Sequence, residues 1–223
     1  MSTIEVVRHP RARRMKLSVD NATGQVRLTL PLRASARDGL RWAEGQHEWI
    51  ARARERRSEP VPFEPGATIL YLGEEIGLGW DSGFPRAPQL DDGQLIAGGP
   101  REGYERRIER WLRRQALEVM STETAQYAAK AGVTVAKVAI GDAKGRWGSC
   151  ASSGVIRYSW RLILAPPEVR RATVAHEVAH RVHMNHSPAF HAVVRELYGR
   201  DPSSERAWLR ANAMRLHSYG RDS

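Results

Sequence analysis

The chain has one cysteine, Cys150, so it can form no internal disulfide and cannot build a thiolate-rich metal site. It contains no unbroken run of about 18 apolar residues, and no transmembrane helix is expected. A secretory leader is not expected either, because Ile4 to Val7 is followed at once by Arg8, His9 and Pro10. Together these absences place the protein, as an expectation, in the cytoplasm. Internal repeats and low-complexity segments are also lacking. Lysine is scarce, with 4 against 31 arginines.

What is present fits a globular protein. Of 223 residues, 41% are apolar and 27% charged, enough for one large domain or two small ones. The formal charge is +10 and is unevenly spread. Residues 1 to 100 carry a net +1, and residues 101 to 223 carry +9. A basic second half can favour nucleic acid. The arginines at 101, 106, 107, 110, 113 and 114 nevertheless alternate with Glu102, Glu105 and Glu109. Glu102–Arg106 and Glu109–Arg113 have the spacing of helical ion pairs, so this run is read as a solvated helix face in preference to a nucleic-acid surface.

The most informative run is His176-Glu177-Val178-Ala179-His180, with a further histidine at His186. Residues four apart share a helix face, so His176 and His180 can direct both imidazoles at one ion. Glu177 lies about 100° around the axis from His176, where it reaches a water on that ion without ligating it. Zinc suits such a set because it accepts neutral imidazole and tolerates an open fourth position. Asn185-His186-Ser187-Pro188 reads as a corner. Asn tolerates the left-handed conformation that ends helices, Ser187 is a good cap, and Pro188 suits a first helical position. The metal helix is therefore expected to stop near Met184, leaving His186 free to turn back as third ligand. His183 competes for that role on an unbroken helix.

Three stretches carry a resemblance: Gly145-Arg146-Trp147-Gly148-Ser149-Cys150, the run from Ile156 to Pro166, and His176 to Phe190. They resemble the YgjP-like metallopeptidases, often grouped with SprT-like and WLM zinc proteases. The N-terminal part resembles that family loosely, in a strand-then-helix layout ending at Trp49-Ile50. The resemblance implies a zincin-like fold, one zinc ion per chain and peptide hydrolysis. It also implies His176, His180 and His186 as ligands and Glu177 as the catalytic glutamate. His191 departs from the family pattern, which usually has an aromatic residue there. The ligand spacing equals that of metzincins, but His183 stands at their glycine position. Met214 lies in a helical context, so no Met-turn is read.

The expected fold class is α+β, a zincin-like catalytic domain at 100–223 preceded by a smaller β-rich region at 1–99, with the boundary at Gly98-Gly99-Pro100. Short strands are expected within 4–32, around a turn at residues 20–24, with Val26, Leu28 and Leu30 facing inward. One helix is expected over 35–57, capped by Ser35, with Leu40, Ala43, His47 and Ile50 on one stripe and Arg52, Arg54, Arg56 and Arg57 at its end. Strands follow at 69–80 and 89–97. A long helix spans 101–131, with Ile108, Trp111, Leu112, Leu117 and Met120 inward and Gly132 as its cap. Strands at 134–140 and 155–164 flank a loop at 144–154.

Arg146, Trp147, Gly148 and Ser149 in that loop read either as a substrate-side rim or as a tight turn anchored by Trp147. The adjacent strands offer an edge to which an extended peptide could add. Tyr158, Tyr198 and nearby arginines are candidates for stabilising an oxyanion. The reading is a zinc metallopeptidase acting on peptides or proteins without a membrane. Its alternative is a non-catalytic zinc module binding nucleic acid through the basic surface. Structural zinc usually takes four protein ligands, and this chain offers three clear ones.

Overall fold

The computed structural model describes residues 4–20, 24–55 and 59–220. Mixed helices and sheets make the fold α+β. Two compact units are present, one before Val61 and one from Val61 onward. Gly98-Gly99-Pro100 is a turn inside the second unit, joining its last early strand to its long helix.

The first unit is a three-stranded sheet with two helices. Strands β1 (Ile4–Arg8) and β3 (Val26–Leu30) pair in parallel, and β2 (Lys16–Val19) pairs antiparallel with β3. The expected alternation holds, since Val26, Leu28 and Leu30 are buried. Of the expected turn at 20–24, residues 21–23 lie outside the described residues, and Gly24 has a positive φ. The single helix expected over 35–57 is two helices, α1 (Ala36–Glu44) and α2 (His47–Glu55), parted at Gly45-Gln46. Glycine weakens a helix interior, and the chain closes as a terminus, with the Gly45 N–H bonding back to the Arg41 carbonyl and the Gln46 N–H to that of Ala43. Ser35 caps α1 by accepting the Asp38 N–H at 3.2 Å. Ala43 is buried, whereas His47 is exposed at the start of α2. Arg56 and Arg57 of the expected basic end lie outside the described residues.

The second unit contains two sheets and four helices. The first sheet has the order β4-β5-β7-β6, with β4 (Thr68–Tyr71), β5 (Glu74–Trp80), β6 (Gln89–Asp91) and β7 (Gln94–Ala97). The strand expected at 69–80 is thus a hairpin. Its turn residues Leu72 and Gly73 both have positive φ, 54° and 90°. Such two-residue turns normally advertise themselves with Asn-Gly or Asp-Gly, and Leu-Gly hides this one. The turn is held from outside: the Leu72 and Gly73 N–H groups donate to the Ile163 and Leu164 carbonyls at 2.9 and 3.1 Å.

The long helix α3 (Tyr104–Ala131) ends at Gly132, which has a positive φ. Ile108, Trp111, Leu112 and Met120 face inward as expected, but Leu117 is 42% exposed. The second sheet has the order β8-β10-β9, with β8 (Lys137–Gly141), β9 (Gly148–Cys150) and β10 (Val155–Ser159). β10 stops at Ser159, and Trp160–Ile163 winds into a 3-10 turn instead of extending to 164. Helices α4 (Pro167–Ala179), α5 (Pro188–Tyr198) and α6 (Ser203–Ser218) complete the unit. No described helix is long and apolar enough to cross a membrane.

Two buried arginines fix this frame. Arg170 on α4 pairs with Glu123 on α3 at 2.8 Å, with both side chains under a tenth exposed. Arg161 binds Asp142 through Nε at 2.8 Å and Nη2 at 3.2 Å, while its Nη1 donates to the Leu216 and Tyr219 carbonyls at 2.8 Å. The unit also closes on itself. The Val61 N–H donates to the Ser218 carbonyl at 3.0 Å, and the Gly220 N–H donates to the Val61 carbonyl at 2.8 Å.

Burial alone would raise the Asp142 carboxyl, but the hydrogen bonds and charge of Arg161 outweigh it and hold the group below its usual range. Its contribution to stability is therefore full above the ordinary carboxylate pKa and is lost as pH falls through the lowered value. Asp142→Asn should cost about 1.5–3 kcal/mol at neutral pH. The gap from the native chain should close in strong acid, as read by urea unfolding across a pH series.

Candidate metal centre

Helix α4 begins at Pro167, with Glu168 in its first turn, and carries Val174, Val178 and Ala179 fully buried. That apolar face fixes the rotation of the helix, so His176 and His180 point to the same side. The helix ends at Ala179, earlier than the Met184 expected, and His180 is its cap. The Arg181 N–H bonds back to Val178, and the Val182 and His183 N–H groups bond to Ala179. Among the described residues, the non-glycine positions with positive φ are Leu72 and Asp92, so Asn185 does not use the left-handed turn expected of it. Ser187 does cap α5, accepting the Phe190 N–H at 3.3 Å.

This path brings His186 back onto His176 and His180. One nitrogen from each of the three lies within 4.8 Å of the others. Nε2 of His186 is 3.3 Å from Nε2 of His176. A tetrahedral ion with bonds of about 2.0–2.1 Å spaces its ligand atoms by about 3.3 Å, so this pair has the edge length such an ion requires. His183 takes a different part. Its backbone carbonyl accepts from Nδ1 of His180 at 3.1 Å. A carbonyl only accepts, so Nδ1 bears the proton and Nε2 keeps its lone pair. Phe190 is fully buried beneath the cluster, with its ring 4.9, 4.5 and 4.8 Å from those of His176, His180 and His186.

The electrostatics favour ligation. Burial first, then the charges of His180 and His186, lower the His176 pKa to about 4. Burial also lowers that of His180 against the opposing His183 carbonyl. Both rings are thus neutral at ordinary pH, the form that binds a metal. Glu177 is 5% exposed, and burial raises its pKa to about 7 against the pull of Arg146.

A cavity of about 260 Å³ opens beside His176 and Glu177. Arg146, Trp147 and Gly148 line it, whereas Ser149 does not and pairs with Arg157 inside the sheet. The Trp147 indole lines the cavity and also stacks on His217 at 5.2 Å. A Cβ on Gly148 would fall within 2.7 Å of the Glu177 side chain. Strand β9, which carries Gly148, is an edge strand. Cys150 is half-buried, and burial raises its thiol pKa, in keeping with a packing role.

Two tyrosines considered for an oxyanion are engaged elsewhere. Tyr158 is buried and hydrogen-bonded to Thr124 at 3.0 Å, and Tyr198 donates to Glu205 at 2.9 Å. The cavity wall that sequence reasoning missed comes from α6, which supplies Glu205, Arg206 and Leu209. The Asp201-Pro202-Ser203 helix start marks this element, but nothing in its sequence ties it to the histidines.

Three clustered imidazoles beside a buried carboxyl group, on and just after an H-E-x-x-H helix, form a set that can hold a metal ion. The profile of the YgjP-like metallopeptidase domain matches residues 13–212, so the chain belongs to that family. No curated protein and no solved structure matches it.

The separate parts of His183 and His186 give a direct test. His186→Ala should lower zinc content well below that of the native chain, whereas His183→Ala should retain it, since its carbonyl persists. Elemental analysis of both variants, purified alike, checks the assignment.

Proposed function

We propose that the chain is a zinc-dependent peptidase that uses Glu177 as its general base. The observation that carries this reading is the placement of the Glu177 carboxylate. It is buried, adjacent to His176, and opens on the same cavity. His176, His180 and His186 are the residues that would hold zinc. When bound, zinc supplies Lewis acidity toward a water and a peptide carbonyl. Glu177 accepts the proton released as the water attacks and delivers it to the leaving amine. Arg146 and Arg206, on the same cavity, hold positive charge where negative charge grows on the carbonyl oxygen. Strand β9 is an edge strand along which an extended peptide can lie, and Gly148, lacking a side chain, admits Glu177 closely against it. Peptides or proteins are the substrate class, in line with the family.

Two substitutions test the division of labour. Glu177→Gln should keep its zinc and lose about 10²–10⁴-fold in turnover, as expected for a lost general base. Full activity in that variant would refute the role. Gly148→Ala should likewise retain zinc, yet lower the hydrolysis of peptides, because the new methyl group displaces the Glu177 side chain. Unchanged turnover there would show that the close approach has no part in catalysis.

A further inference from the structure

Far along α3 from its packed middle, a second and larger groove of about 710 Å³ lies between the start of this helix and the segment before β6. Its lining is dominated by guanidinium groups. Arg106, Arg110 and Arg114 recur every fourth residue on one exposed stripe of α3, and Arg86 faces them from the other wall. Gly99 leaves room for the Arg86 stem, since a Cβ there would meet Arg86 Cγ at 3.1 Å. Among the described residues, none of these four arginines has a carboxylate within ion-pair distance. The expected Glu109–Arg113 pair forms at 2.7 Å, but Arg106 does not pair with Glu102. Arg107 adds a fifth charge at 8% exposure, held by the Glu102 and Pro100 carbonyls at 3.2 and 2.6 Å and by no carboxylate. A buried cation without a counter-charge is costly, and an anion seated in the groove would offset that cost.

We propose that this groove binds a nucleic-acid strand through its phosphates. The shape favours a polymer over a single anion. Arginines four residues apart on a helix advance by about 6 Å, so the stripe extends about 12 Å. A strand bearing a charge every ~3.4 Å of its axis presents three to four phosphates over that length. Guanidinium groups grip phosphate oxygens bidentately. The composition of the groove favours nucleic acid over an acidic protein. Protein interfaces centre on exposed apolar or aromatic anchors, and the one large aromatic lining this groove, Trp111, is only 8% exposed. Nucleic-acid interfaces are polar and strongly positive. With no exposed ring to stack a base, binding reads the backbone and not the sequence.

The test is anisotropy of a labelled oligo-dT across a salt series, using the full chain. Arg106→Gln, Arg110→Gln and Arg114→Gln combined should weaken binding by about tenfold or more. The salt slope should flatten by about 2, at roughly 0.7 per lost contact. Arg86→Gln alone should weaken binding in the same direction. The control combines Arg157→Gln, Arg195→Gln and Arg210→Gln, which removes equal charge from exposed positions outside the groove. Equal losses in the two triple variants would overturn the proposal, as would absence of binding by the native chain. Competition by poly-glutamate as strong as by unlabelled oligo-dT would reassign the groove to acidic proteins. None of these readouts uses peptide turnover, so the proposal and the peptidase reading stand or fall separately.

Discussion

Helix α4 gives up its regular hydrogen bonding after Ala179, and the placement of all three histidines rests on that early stop. Were the helix to run on, His183 would continue the face of His176 and His180, and His186 would be carried around the axis. Instead the chain tightens, with the N–H groups of residues 181–183 folding back on Val178 and Ala179. His183 then presents its carbonyl to His180, which orients that ring and assigns its proton. Phe190 fills the space beneath the three rings, so their separations are set by packing as well as by the backbone. The three imidazoles and their support thus come from the end of one helix and the start of the next.

The same burial that lowers the pKa of His176 and His180 raises that of Glu177 toward neutrality. A carboxylate in that environment is a better proton acceptor than one in water. The frame that keeps it there is ionic. Arg170–Glu123 binds the metal helix to α3, and Arg161 joins Asp142 to the end of α6. Breaking one partner of such a pair leaves an uncompensated charge inside, so these contacts hold the geometry more than they add net stability.

Much of the centre was legible because helical spacing is a local property. His176, Glu177 and His180 are placed by a 3.6-residue period alone, and Ser187-Pro188 by capping chemistry. What escaped is mostly tertiary, the exception being the end of α4, where residues 181–183 tighten onto Val178 and Ala179 in a way that no propensity reports. Leu72-Gly73 turns because the Ile163 and Leu164 carbonyls receive its N–H groups. The cavity wall from α6 is distant in sequence from the histidines. Charge pairing was half legible: Glu109–Arg113 forms, whereas Arg106, which has the same spacing from Glu102, stays open to the groove. The break at Gly45 was visible in composition but was outweighed by the helical pattern on either side.

The hydrogen bonds between Val61 and Ser218–Gly220 have a further consequence. They make the second unit nearly a ring, in which the order of its elements is fixed by packing and not by where the chain enters. Linking Gly220 to Val61 would therefore add little strain, and the opening could be moved to an exposed turn such as Asp81–Gly83 with every contact of the site preserved. The chain thus enters this unit at the seam of a ring, where the order of its elements can change with the least disturbance.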